Sequence, residues 1–134
     1  MASHVAVDLI KATGIRAINF NEVNLLTCFA NEYGYVEVFE TAVECYGDAG
    51  DLLILVSSSG SSKNMVYSAR HTKELKMNII IFSGFNRDNP LRQLGNINFL
   101  VDTKAYNILQ MTYHYWLLTI VDFIIGKIEY SSSK

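Results

Sequence analysis

Two groups of residues in this sequence have types and spacings that can do chemistry. The first is a run of hydroxyls. In "GDLLILVSSSGSSKN", residues 50–64, the apolar run Leu52–Val56 ends in five serines around Gly60. Successive backbone N–H groups in a tight, glycine-containing turn form a small anion nest, and a helix that follows adds its dipole. The hydroxyls of Ser57, Ser58, Ser59, Ser61 and Ser62 add donors without charge or bulk. That chemistry suits the reversible grip of a phosphate monoester. The stretch is not a P-loop, because Lys63 follows Gly60 too late and the first glycine is missing. Nor does it contain a G-x-S-x-G nucleophile elbow. On pattern alone it also reads as a polar turn that caps the next helix and binds nothing.

The second group is a pair of pairs. His4 and Asp8 lie four residues apart and share a face of the first helix; Gln110 and His114 have the same spacing on the last. Where two such faces meet near the serine turn, they offer proton-transfer groups or ligands for a divalent metal. The spacing fits two solvated faces as well. His71, within the polar "ARHTKELK", reads as a surface residue.

These residues need a scaffold. Four short runs rich in Leu or β-branched residues read as buried strands: 15–20 "IRAINF", 52–57 "LLILVS", 78–83 "NIIIFS" and 97–102 "INFLVD". None alternates strictly, which fits parallel strands covered on both faces. Helical patterns occupy 3–12, 21–33 (with Asn21 as its cap), 36–46, 62–76 and 103–130. Within 62–76, Met65, Ala69 and Leu75 fall on one side. The only proline, Pro90, sits in the polar loop "GFNRDNPLRQLGN". Strands alternating with helices predict an α/β sandwich with a parallel sheet. The chain has 134 residues, half of them hydrophobic and 18% charged, enough for one domain, 1–134, with a real core. Only the "SSSK" end, 131–134, reads as a disordered tail.

Charge and targeting signals narrow the partners. A net charge of −2 without a Lys/Arg cluster argues against nucleic acid or an anionic membrane. Cys28 and Cys45 form no CxxC and read as free thiols of a cytoplasmic protein. Asp8 interrupts any signal-peptide core at the start. The most apolar stretch, Tyr115–Ile125, has 11 residues with Asp122 inside and reads as a buried helix rather than a membrane span. It is apolar nearly all round, which predicts that Trp116, Phe123 and their neighbours lie in the core or in a homo-oligomer interface.

Residues 50–84, "GDLLILVSSSGSSKNMVYSARHTKELKMNIIIFSG", resemble the phosphate-binding strand, loop and helix of sugar isomerase (SIS) domains, most of all the phosphoheptose isomerase group. That group has a Ser-Thr-Ser-Gly-Asn-Ser-type loop here, then a helix and an apolar strand ending in glycine. "CFANEYGYVEVF" resembles the group's Asn-Asp-Tyr-Gly segment and the helix after it. "HVAVDL" resembles a helix carrying a His and, four residues on, an acid.

The resemblance implies a flavodoxin-like three-layer sandwich and a phosphorylated sugar held by Ser57, Ser58, Ser59 and Ser62. It implies aldose–ketose isomerisation, in which a base moves a proton between C1 and C2 through an enediol, with sedoheptulose 7-phosphate as the substrate. Asp8 falls where the family has its catalytic Glu. His4 and Gln110, with Asp8, match positions that bind zinc in some members. Two departures accompany it. The family's catalytic histidine on the last helix falls at Leu118, which cannot transfer a proton; His114, one turn earlier on the same face, is the candidate in its place. The family's N-terminal helices, first strand and Gly-Asn-Gly-Gly-Ser loop, which completes the phosphate cradle, have no counterpart in this sequence. A dimer or tetramer of this chain is expected. The second class of function is a non-catalytic SIS module that senses a sugar phosphate or mediates protein association; Leu118 favours it, while His4 and Asp8 oppose it.

Overall fold

Three of the apolar runs form parallel strands: β1 (Leu52–Ser57), β2 (Asn78–Gly84) and β3 (Ile97–Val101), in the order β1-β2-β3. The structure, a computed structural model, describes residues 1–127. Register runs from Leu52 opposite Asn78 to Ser57 opposite Ser83, and from Ile80 opposite Ile97 to Gly84 opposite Val101. Successive side chains of a strand point to opposite faces, and here both faces are covered. Leu53, Leu55, Ile79 and Ile81 face one way, into a core with Val43, Val66 and Ala69. Phe82 faces the other, with Val5, Leu109, Tyr113, Leu117 and Val121, while Ile54, Val56 and Ile80 pack against that core. Burial on both sides removes the need for polar alternation, so these strands are continuous apolar runs.

Among the described residues there are five α-helices: α1 (Ala2–Asp8), α2 (Val23–Glu32), α3 (Val38–Tyr46), α4 (Lys63–Glu74) and α5 (Tyr106–Ile125). The first continues as a π-helical turn, Leu9–Thr13, closed by Gly14 in the left-handed conformation. Helices α3 and α4 cover one face of the sheet; α1 and α5 cover the other. The result is the expected three-layer α/β sandwich. On α4, Ala69 is fully buried, with Met65 and Leu75 packed around the same core.

The expected strand at 15–20 does not form. β1 is an edge of the sheet and residues 15–20 pair with no strand. A strand without a ladder partner gains nothing from extension, so the segment runs irregularly. Ile15 and Ile18 are exposed, and the segment is tied down by Phe20, which packs against the α3/α4 core and beside Tyr46 at 5.7 Å. Helix α2 is capped by Glu22, whose carboxylate accepts from the Leu25 N–H at 2.8 Å, rather than by Asn21. Glutamate reaches the orphan amide and adds a charge that favours the helix dipole. The last helix, expected over 103–130, runs only from Tyr106 to Ile125, where Gly126 in the left-handed conformation closes it; residues 128–130 and the tail at 131–134 lie outside the described residues. The apolar stretch expected to be 11 residues long belongs to a 20-residue helix, long and apolar enough to cross a membrane by length and composition; its Leu109, Tyr113, Leu117 and Val121 stripe packs on the sheet.

Candidate functional site

At the C-terminal end of β1 the chain leaves the sheet and turns into α4. In parallel α/β sheets ligands collect at such strand-to-helix junctions. Here Ser57, Ser58, Ser59 and Ser62 line one cleft of about 350 Å³, together with Tyr35, Phe39, Asn64 and Tyr106. The loop folds on itself. The Gly60 N–H donates to the Ser57 carbonyl at 3.2 Å and to Ser57 Oγ at 3.3 Å, and the Ser61 N–H donates to Ser59 Oγ at 3.3 Å. Gly60 has φ +62, a left-handed conformation that glycine adopts without strain. Ser62 occupies the N-cap of α4 with extended backbone, yet its side chain makes no capping bond. Its hydroxyl is therefore left for the cleft, at the start of α4.

The other pair of pairs meets on the opposite layer. His4 Nε2 lies 3.2 Å from Asp8 Oδ2; Asp8 is buried while His4 is half exposed. The His4 ring meets the edge of His114 from α5, centroids 5.4 Å apart at 77°. His114 Nε2 is buried and has no hydrogen-bond partner among the described residues. So His4, Asp8 and His114 come together, in a place apart from the serine cleft. Gln110 lies exposed, one turn before His114. A smaller cavity of about 120 Å³ opens beside this group, lined by His4, Asp8, Leu118, Val121 and Asp122. Leu118 thus reaches the cavity at the position where a histidine was expected.

Helix α5 joins the two places. Tyr106 touches the serine cleft and His114 touches His4. Eight residues at 1.5 Å each separate them by roughly 12 Å along the axis. The start of α5 is seated by close packing: a Cβ on Gly84 would lie 2.3 Å from Leu109 Cδ2, so a larger residue there would have to displace the Leu109 side chain.

Among the described residues no three His, Cys, Asp or Glu side chains converge on a common point suited to a metal. His4 and Asp8 offer two donors, and the Gln110 amide oxygen would be the third. Zinc takes three or four protein ligands. The set would thus reach three only through Gln110, and no step below runs through a metal.

Sequence reasoning missed Tyr35, Phe39, Asn64 and Tyr106 in the cleft and Asp122 in the smaller cavity. Asp122 had a signal: Gln110, His114, Leu118 and Asp122 recur every four residues and so share a helix face. Tyr35 and Phe39 lie in the stretch "CFANEYGYVEVF" that carried the family resemblance, but no spacing pattern tied them to the serine loop.

Residues 2–84 match the SIS domain family. The chain belongs to that family. Among curated relatives, the phosphoheptose isomerase of Buchnera aphidicola is 27% identical over 117 residues, which cover 87% of this chain and 60% of the relative. The phosphoheptose isomerase of Helicobacter pylori is 38% identical over 89 residues, 62% of this chain and 46% of the relative. This SIS chain therefore spans about half to three fifths of those relatives' length. Among solved structures, phosphoheptose isomerase GmhA from Neisseria gonorrhoeae superposes with a TM-score of 0.84 at 25% identity, covering 93% of this chain and 69% of that one. A phosphoheptose isomerase from Francisella tularensis superposes equally well at 23% identity. The SIS assignment agrees with the parallel sheet and its helical layers.

Proposed function

We propose that this SIS chain binds a phosphorylated sugar in the serine cleft and acts as a phosphoheptose isomerase on sedoheptulose 7-phosphate. The observation that carries the reading is the cleft itself: four serines at a strand end and helix start, facing space for a small polar ligand. Ser57, Ser58, Ser59 and Ser62 hold the phosphate. The open-chain sugar then runs along α5, from Tyr106 past Gln110 to His114, a span of about 12 Å.

The ketose-to-aldose step conserves atoms. Asp8 removes a proton from C1, electrons shift to the C2 carbonyl, and O2 takes a proton to give the enediol. The O1 hydroxyl then loses its proton, C2 regains one from Asp8, and C1 becomes the aldehyde. His114 serves the oxygens, while His4 holds the Asp8 carboxylate. Leu118 supplies no proton, so the step relies on His114. Zinc, for which His4, Asp8 and Gln110 are the candidate ligands, is no part of this sequence of steps.

Reaction in deuterated water tests the reading. Turnover through an enediol places deuterium at C2 of the aldose, seen by NMR, and Asp8→Asn abolishes it. Binding without exchange or turnover would select the sensing module instead.

A second copy of the chain belongs to the same reading. Ile108, Met111, Tyr115 and Phe123 lie exposed on α5, and Val7 and Ile10 lie exposed on α1 and the π turn. From Tyr106 to Val121 there is no Asp, Glu, Lys or Arg. Such a neutral apolar surface suits a copy of itself in a dimer or tetramer.

A further inference from the structure

We propose that Asn89 is a positioning residue for the serine loop: a buried amide, wedged behind Gly60, that holds Ser57–Ser62 in the geometry that receives a phosphate. The inference rests on the reading of that cleft as the phosphate site, and it adds a residue that lies outside the cleft lining. Asn89 is 3% exposed. Its Nδ2 donates to Ser83 Oγ at 3.1 Å and to the Asn86 carbonyl at 2.8 Å, and its Oδ1 accepts from the Arg92 N–H at 3.1 Å. Both ends of the amide are occupied, which fixes its orientation. Pro90 restricts the backbone before it to extended conformations, and Asn89 has φ −66 and ψ 146. Three hydrogen bonds therefore hold the side chain on a restricted backbone.

What it presses on is Gly60. A Cβ built on Gly60 would lie 2.1 Å from Asn89 Oδ1 and 2.3 Å from Cγ. The amide plane thus occupies the place a side chain would take. Two backbone bonds close the grip on either side: the Leu91 N–H donates to the Gly60 carbonyl and the Gly84 N–H to the Ser58 carbonyl, both at 3.0 Å. By contrast, the loop's own side-chain bonds, both 3.3 Å, lie beyond the usual N–H···O range. The serine loop is ordered chiefly from behind. A loop already held in its bound shape spares the ordering cost on binding.

The test uses the full chain with Asn89→Ala, Asn89→Ser and Gly60→Ala. Hydrogen exchange of the 58–62 amides is read without ligand, and sedoheptulose 7-phosphate affinity is read by calorimetry well below each melting temperature. The proposal expects exchange at 58–62 to rise at least about tenfold in Asn89→Ala and Gly60→Ala, with β2 and α5 unchanged. It expects Kd to weaken about tenfold, with partial recovery in Asn89→Ser, which keeps a small hydrogen-bonding group. Folded variants with wild-type loop exchange and wild-type Kd would overturn it, since a merely structural amide lowers stability without touching either. Faster loop exchange in a protein that binds no phosphorylated sugar at all would support the clamp and reject the phosphate reading.

Discussion

At the residue scale, the serine run was legible as a turn between a buried strand and a helix, a place where hydroxyls suit either a phosphate nest or a polar cap. What the sequence did not display was how each hydroxyl is spent. Ser57 and Ser59 turn partly inward to satisfy loop amides, whereas Ser62 leaves its helix uncapped. Leu118 gives a prediction of the opposite kind, a gain. It lines the cavity beside His4 and Asp8, so Leu118→His places a proton-transfer group where none stands. Positioned acid–base groups contribute about 10² or more; isomerase turnover should rise by that order while substrate affinity changes little. Tyr113 is a further residue-scale case. It is fully buried, its hydroxyl lacks a hydrogen-bond partner among the described residues, and burial pushes its pKa up to about 12. An unsatisfied buried hydroxyl costs about 1–3 kcal/mol. Tyr113→Phe should leave the melting temperature unchanged or raise it by a few degrees in a thermal scan. Because the folded pKa lies above the unfolded one, the tyrosine's contribution is complete below pH 10 and is lost as pH rises toward 12.

At the element scale, strands 52–57, 78–84 and 97–101 were readable from their apolar runs, and α4 from its Met65, Ala69 and Leu75 side. The failure at 15–20 is instructive. "IRAINF" has strand propensity, but β-propensity expresses fit to a neighbouring surface, and no strand lies beside this one. Helix pairing offers a test here. His71 of α4 bridges Glu44 of α3 and Glu74 of its own helix, an arrangement invisible to sequence because Glu44 is 27 residues away. Partial burial pushes the His71 pKa down, but the hydrogen bonds to Glu44 and Glu74 outweigh it and the net shift is upward. A raised folded pKa means stability that is complete below about pH 6.5 and lost as pH rises through the folded value. Both carboxylate partners are largely solvated, so the contribution is at most about 1 kcal/mol. The melting-temperature difference between wild type and His71→Gln should be largest near pH 5.5 and vanish by pH 8.5.

At the scale of the whole molecule, the α/β sandwich followed from strands alternating with helices, and the SIS family from the serine loop with its flanking elements. Less legible was the division of α5. Its composition suggested burial all round, yet the structure splits it. Trp116 packs near Phe82 and Phe99, while Phe123 stands 86% exposed. Composition gives total hydropathy, and only the fold shows which stripe is already used. The unused stripe predicts self-association: sedimentation should show a dimer or tetramer, and Met111→Glu with Phe123→Glu should shift it toward monomer without loss of fold. A monodisperse wild-type monomer would count against that interface. The central claim, however, is that the serine cleft holds a phosphorylated sugar. Isothermal titration with sedoheptulose 7-phosphate, run on wild type and on Ser58→Ala/Ser59→Ala, addresses it most directly. Hydrogen bonds to a charged group contribute about 1.5–3 kcal/mol each, so the account predicts measurable binding by wild type and affinity at least tenfold weaker in the variant. Equal affinity in the two proteins, or no heat from either, would contradict it.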